Sequence, residues 1–362
     1  MKRTRMLCCM NHRLPEREKG RKEMISYLIV GSGYRSEYFG RIAAAYPGLF
    51  RAMYLCRSPE KAALITAHTG LPATDREEEA LAFRPDFAVI AVDRGHMAEV
   101  AETWIRKGFA VLTETPVGCT GEELQRLLDL EKENARIVCC EQYFRQPLLA
   151  QGLRAIAEGI IGTPSSLYIS LLHDYHAASL IRKALRIPPE EEYTVCGLAR
   201  KEPVVETDSR AGAILDGRVA EGERMTAIIS FASGKQAVYD FCPVQYRSYL
   251  RSRHLVVRGD RGEWSDTVVS WLDGENLPRK LFLTPEIPEA YRCLDTQALR
   301  DRRRNWQDEL APDTVQDEFA IATLLLDMGA HVRGAASPYP LAEAVADARF
   351  WLALQEAAKE NC

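Results

Sequence analysis

Nothing in this sequence approaches the roughly 18 consecutive apolar residues that a membrane-spanning helix needs, so no membrane partner is expected. Charge of one sign is also scarce. A formal net charge of -4 over 362 residues creates no basic field to gather a polyanion, and no nucleic-acid partner is expected. Cysteine occurs without any Cys-x-x-Cys, and the adjacent pairs Cys8-Cys9 and Cys139-Cys140 have spacing unsuited to a zinc site or a disulfide framework. Reduced thiols in a cytoplasmic protein without a metal are the expectation. A Walker loop, a nucleophile elbow and a His-Glu-x-x-His segment are missing too, and the chemistries they carry go with them.

What is present is an ordinary globular composition, 46% hydrophobic and 27% charged, in a chain long enough for two domains. Residues 1–24 are expected to be a disordered basic extension, because Lys2, Arg3, Arg5, Arg13, Arg17, Lys19, Arg21 and Lys22 surround no apolar signal segment. A basic functional arm is the alternative, and Met24 stands just before the first strand.

The most informative segment follows. The apolar run Tyr27-Leu28-Ile29-Val30 enters Gly31-Ser32-Gly33-Tyr34-Arg35-Ser36 and then a helical pattern from Tyr38 to Ala45. Strand, glycine turn and helix start in succession build a dinucleotide phosphate cradle, in which backbone N–H groups at a helix amino terminus hold the phosphates. Gly31, Ser32, Gly33, Tyr34 and Arg35 are therefore cofactor-binding candidates. Ser36 stands where the fingerprint prefers Gly or Ala and is small enough for close packing. A plain tight turn is the competing reading.

Further strands are expected at 50–56, 85–92, 110–113 and 135–139, separated by helices at 59–69, 97–107 and 121–134. This alternation specifies a doubly wound parallel sheet of the Rossmann type over residues 25–145. Beyond it, strand-like segments at 165–170, 225–231, 236–242, 254–258 and 267–271 follow one another without intervening helices. They imply an α+β second domain, residues 146–362, with a predominantly antiparallel sheet. Helices are expected at 177–185, 314–329 and 341–358, the last two able to pack back on the first domain. One uncovered face of the second sheet would favour a homo-oligomer.

Arg57 and Ser58 follow the second strand, and Cys56 occupies the place where an NAD site usually sets a carboxylate. Guanidinium and hydroxyl suit the extra phosphate of NADP, so the expected cofactor is NADP or NAD with a lean to NADP. A solvated surface arginine is the alternative. Asp93 and His96 follow a strand on the edge where open α/β sheets bind ligands, as does Thr113-Glu114-Thr115-Pro116.

The glycine turn, the Glu-x-Pro after the strand ending near residue 113, the second domain with a six-strand-like sheet and the closing Tyr339-Pro340-Leu341-Ala342-Glu343-Ala344 together resemble the Gfo/Idh/MocA family, named for glucose-fructose oxidoreductase and inositol dehydrogenase. The resemblance spans residue 25 to the carboxyl terminus. It implies a Rossmann domain, a nicotinamide cofactor and hydride transfer to or from a small polar substrate: a sugar, cyclitol, or related carbonyl or imine compound. It also implies a lysine between Glu and Pro that assists proton transfer, where this chain has Thr115. Glu114 resembles the family's structural carboxylate and Pro116 the proline beside the nicotinamide. His96 matches a histidine that helps close the cofactor site.

His173-Asp174-Tyr175-His176 resembles the family element that sets a histidine ahead of a helix, facing substrate, with an aspartate four residues before it. Leu172 holds the aspartate's place. A histidine titrates near neutral pH, so His176 is the candidate acid or base, with Tyr175 or Asp174 assisting and Thr115 orienting the substrate oxygen. A helix-cap or core histidine is the competing reading. Arg145 and Arg182 are candidate substrate contacts, with an interdomain ion pair as the alternative for Arg145. Tyr246 and the basic stretch after it read as a solvated sheet edge. Alternatives to the oxidoreductase are a nucleotide-binding sensor or scaffold, and a lyase or hydrolase that recycles its bound cofactor.

Overall fold

The computed structural model describes residues 24–209, 212–246, 248–300 and 313–360. The amino-terminal extension, with Cys8 and Cys9, lies outside the described residues, as does Arg247.

The chain opens with β1 (Ile25–Val30), all six of whose residues are buried, as the centre of a sheet covered on both faces demands. There follow α1 (Ser36–Ala45), β2 (Phe50–Leu55), α2 (Pro59–Thr69), β3 (Ala73–Thr74), α3 (Glu77–Ala82), β4 (Phe87–Ile90), α4 (Met97–Arg106), β5 (Val111–Thr113), α5 (Gly121–Lys132) and β6 (Ile137–Cys139). All strands pair in parallel in the order β3-β2-β1-β4-β5-β6. The strand order reverses between β1 and β4, the switch point at which such sheets bind ligands. The helices carry their own start signals: Ser58 caps α2 ahead of Pro59, and Thr120 and Glu123 form a reciprocal capping box on α5.

After α6 (Pro147–Ala157) come β7 (Pro164–Ser170), α7 (Asp174–Leu185) and β8 (Tyr193–Val205). A small hairpin, β9 (Asp208–Ser209) and β10 (Gly212–Ala213), precedes β11 (Val219–Phe231), β12 (Gln236–Phe241), β13 (His254–Gly259), β14 (Gly262–Ser265), β15 (Val268–Leu272) and β16 (Pro278–Phe282). The second sheet has eight strands, not six, in the order β16-β15-β14-β13-β7-β12-β11-β8. Only β7 and β12 pair in parallel among its described strands. Strand β8 escapes the sequence pattern because Gly197, Arg200, Lys201, Glu202 and Pro203 break its alternation. It is an edge strand, where a proline costs no ladder hydrogen bond.

One face of this sheet packs on α7 and the last helix through residues such as Ile169, Ile229, Tyr239 and Val257. The other face carries a row running across the register, Phe282, Val268, Ser265, Val256, Tyr168, Val238 and Ile228, apolar except at Ser265. Phe282 is 68% exposed and Ile228 54%.

The chain ends with α8 (Thr296–Arg300), α9 (Asp313–Val332) and α10 (Leu341–Glu360). Phe319, Leu324 and Met328 of α9 join the nucleotide domain's core. Helix α10 spans both domains, with Leu341 and Val345 in the first core and Phe350 and Leu354 in the second. The helix expected from Ala177 begins at Asp174, so His176 sits in its first turn and not ahead of it.

Candidate functional site

At the carboxyl edge of β1, Gly31 has φ +125° and packs against the Ala91 carbonyl so closely that a Cβ would overlap it. Gly33 is different, because a Cβ there would meet nothing within 4 Å. The backbone beside it is open to the cleft, as close approach of a diphosphate requires. Ser36 is fully buried, and its Oγ donates to the Gly33 carbonyl at 2.6 Å, closing the turn that a third glycine or alanine would otherwise shape. Tyr34 is exposed and its hydroxyl meets that of Tyr38 at 3.0 Å. These residues fit a dinucleotide: open space at Gly33 and the amino terminus of α1 behind the turn.

Arg35 leaves this turn toward the reaction side. Its Nε donates to Glu114 at 3.1 Å and its Nη1 to Asp317 at 3.2 Å, with the guanidinium 4.4 Å from the Tyr38 ring centre. Glu114 is buried, and burial raises its pKa against the opposing effect of Arg35. Thr115 follows half-buried, joined to Pro116 by a cis peptide.

Across the cleft, His176 Nδ1 lies 2.6 Å from Glu141 Oε2, and Glu141 is wholly buried just beyond β6. The His176 ring packs between Tyr143 and His173, with centroids 4.4 and 4.5 Å away. The Tyr246 hydroxyl accepts the His173 backbone N–H at 2.8 Å and lies 2.7 Å from its Nδ1. Burial lowers the pKa of His176 to about 3, with the Arg35 charge adding to the effect. His173 is likewise lowered to about 3, by burial first and then by His176. Burial drives Glu141 the other way, well above the carboxylate range. Both histidines are neutral near neutral pH.

Other expected site residues are placed elsewhere. Asp174 accepts from Trp351 Nε1 at 2.9 Å and from Gln355, fastening α7 to α10. Tyr175 is core, its hydroxyl 3.4 Å from Cys139 Sγ. Arg182 is 4% exposed and holds Asp347 at 2.6 Å and Glu343 at 2.7 Å, so its charge is spent inside the fold. Arg145 binds Asp327 at 2.7 Å and Thr323 at 3.3 Å, both on α9, the ion-pair alternative. Arg57 is exposed beyond β2, and Ser58 accepts the Lys61 N–H at 3.4 Å. Asp93 accepts the Gly95 N–H at 3.0 Å, while His96 is exposed and stands 3.7 Å from Glu99.

Sequence reasoning missed Glu141, Tyr143, His173 and Asp317 as members of this cluster, and read Tyr246 as a solvated edge. Glu141 was findable by the rule that singled out Glu114, since it also follows a parallel strand at the ligand edge.

Residues 25–142 match the model of an oxidoreductase family with an NAD-binding Rossmann fold. No curated protein matches the sequence. Biliverdin reductase from Synechocystis sp. PCC 6803, solved with biliverdin and NADP+, has 13% identity and a TM-score of 0.62 over 92% of this chain and 99% of its own. Levoglucosan dehydrogenase, solved with NADH and levoglucosan, has 16% identity and a TM-score of 0.66, covering 94% of this chain and 98% of its own. An oxidoreductase from Agrobacterium radiobacter, solved with NAD+, L-tartaric acid and magnesium, has 11% identity and a TM-score of 0.67, covering 93% and 97% respectively. Likeness at these identities establishes a shared two-domain fold.

Proposed function

We propose that the chain, whose residues 25–142 match the model of the Gfo/Idh/MocA oxidoreductase family with an NAD-binding Rossmann fold, is an NAD(P)-dependent oxidoreductase of that family acting on a small polar carbonyl, imine or alcohol. The observation that carries the reading is the open backbone at Gly33, at the switch point of the sheet and linked through Arg35 to Glu114. Gly31, Ser32, Gly33 and the start of α1 would hold the diphosphate. When bound, a nicotinamide nucleotide supplies or takes the hydride.

The chain's own residues handle the proton and the substrate. Thr115 can hydrogen-bond a substrate oxygen but does not ionise near neutral pH. His176 is the group proposed to give or take a proton, and the rings of Tyr143 and His173 pack against it. Arg57 and Ser58, with Cys56 replacing a carboxylate, support the lean to NADP. The largely apolar row through Ile228 and Phe282 supports pairing of two copies through the outer sheet face. Cys56, Cys119, Cys139, Cys140, Cys242 and Cys293 are free thiols, which supports a cytoplasmic setting, but Cys196 is disulfide-bonded, against the expectation of reduced thiols throughout. Among the described residues no helix is long and apolar enough to cross a membrane.

Calorimetric titration with NADPH and NADH, followed by a panel of aldoses, ketoses and cyclitol ketones monitored by loss of reduced-nicotinamide absorbance, tests the reading. Saturable binding and turnover of at least one compound are expected. Absence of any heat from well-folded protein would overturn it. A second copy is tested by light scattering, with Ile228→Asp expected to shift a dimer toward monomer.

A further inference from the structure

A carbonyl carbon that receives a hydride leaves an oxygen that must take a proton, and position 115 holds no lysine to give one. His176 Nδ1 stands 2.6 Å from Glu141 Oε2, and the other Glu141 oxygen accepts the Tyr143 N–H at 3.1 Å. Ionising this buried pair would strand two charges away from water. The surroundings offset only part of that cost: the Tyr143 N–H and Lys183 favour a charge on Glu141 while Asp317 and Glu114 oppose it, and Arg35 opposes a charge on His176 that Asp317 favours. With the proton on Glu141 donated to Nδ1, the imidazole carries its own proton at Nε2. That nitrogen has no protein partner among the described residues, and the side chain keeps 7% exposure.

Resting on the oxidoreductase reading above, we infer that Glu141 is a proton store that works through His176. In reduction, the substrate carbon accepts the hydride while the carbonyl π electrons move to oxygen, and His176 gives that oxygen its Nε2 proton. Glu141 passes its proton to Nδ1 in the same step. The products are the alcohol, a neutral imidazole protonated at Nδ1, and a Glu141 carboxylate; as product leaves, solvent protonates Nε2 while the Nδ1 proton returns to Glu141, restoring the starting state. Oxidation of an alcohol runs the same transfers backward. An imidazolium beside Arg35 is never needed, and the missing lysine is bypassed. Glu141 acts only through His176 and is a positioning residue.

Infrared difference spectra of wild type against Glu141→Gln at neutral pH should show a protonated carboxyl that the variant lacks, and isotope-edited NMR should find His176 protonated at Nε2. An ionised Glu141 overturns the proposal. NADPH binding in the same preparation then leaves the oxidoreductase reading standing, whereas a protonated Glu141 without nucleotide binding overturns that reading alone. On the compound that turns over in the panel, Glu141→Gln keeps a donor to Nδ1 but cannot release its proton. We expect kcat to fall at least about 10-fold with KM and NADPH affinity within about twofold, and Glu141→Asp to recover part of the loss. Unchanged kcat in a Glu141→Gln variant that binds NADPH overturns the proposal; if that variant does not fold, Glu141→Asp is read by infrared against wild type instead.

Discussion

Arg35 and Glu114 meet at 3.1 Å, joining the glycine turn after β1 to the Glu-Thr-Pro segment after β5. The same guanidinium reaches Asp317 on α9 at 3.2 Å, so one cation ties together the glycine turn, the Glu-Thr-Pro segment and a helix from the far end of the chain. Two carboxylates converge on it, and Glu114 is nearly solvent-free.

Replacing Arg35 by Met should therefore do more than remove a surface charge. It leaves Glu114 and Asp317 facing each other without a cation, and breaking a buried pair from one side costs about 3 kcal/mol. Urea unfolding is expected to show a loss of that order. Adding Glu114→Gln in the same background should return a large part, because the stranded charge goes with it. A variant as stable as wild type would show that the guanidinium does not hold the carboxylates.

The two glycines of the turn should respond oppositely. Gly31→Ala places a Cβ against the Ala91 carbonyl at φ +125°, and the expected result is a lower melting temperature. The Cβ of Gly33→Val meets no protein atom within 4 Å, so its folding should be nearly unaffected while the added side chain occupies the proposed approach of the diphosphate. We expect its NADPH dissociation constant to rise at least about 10-fold, a change of about 1.4 kcal/mol. Equal affinity in wild type and Gly33→Val would move the phosphate site away from this turn.

The nucleotide domain was legible because its signals are local. A buried strand, a glycine forced by backbone geometry and a helix start follow each other within a few residues, and the alternation to β6 repeats the rule. Strand β8 was not legible, since an edge strand with Arg200, Lys201 and Pro203 shows no period of its own. The destinations of Arg145 and Arg182 depend on carboxylates supplied by α9 and α10, far along the chain. His176 could be singled out by its residue type and place. Its partner Glu141 carries the same signal as Glu114, a carboxylate just after a parallel strand, but their pairing was not legible, because it exists only once α7 docks against the end of β6.

Arg57 provides a test of cofactor choice. On the proposed NADP preference, the exposed guanidinium beyond β2 would add nothing to NADH binding but would pair with the extra phosphate of NADPH. Arg57→Ala should weaken NADPH by about 10-fold or somewhat more, in line with the roughly 1.5–3 kcal/mol of a charge-assisted hydrogen bond, and leave NADH affinity unchanged. A wild type that prefers NADH would reverse the assignment.

Acid stability follows from the buried histidines. The unfolded chain binds their protons near pH 6.5, whereas in the fold both are lowered to about 3, so between those limits the unfolded state holds more protons. Stability from these rings is complete above pH 6.5 and is lost as pH falls toward 3, by up to about 1.4 kcal/mol per pH unit per ring. Glu141, raised in the fold, has the opposite sign: above the ordinary carboxylate pKa the native state holds the extra proton, and its contribution declines as pH rises. Together the three groups place a stability maximum near pH 6.5. Urea midpoints of His176→Gln compared with wild type across pH 7 to 4 should show a shallower acid limb in the variant. Parallel limbs would mean that His176 already carries a proton in the fold, which would remove the neutral imidazole on which proton delivery through Nε2 depends.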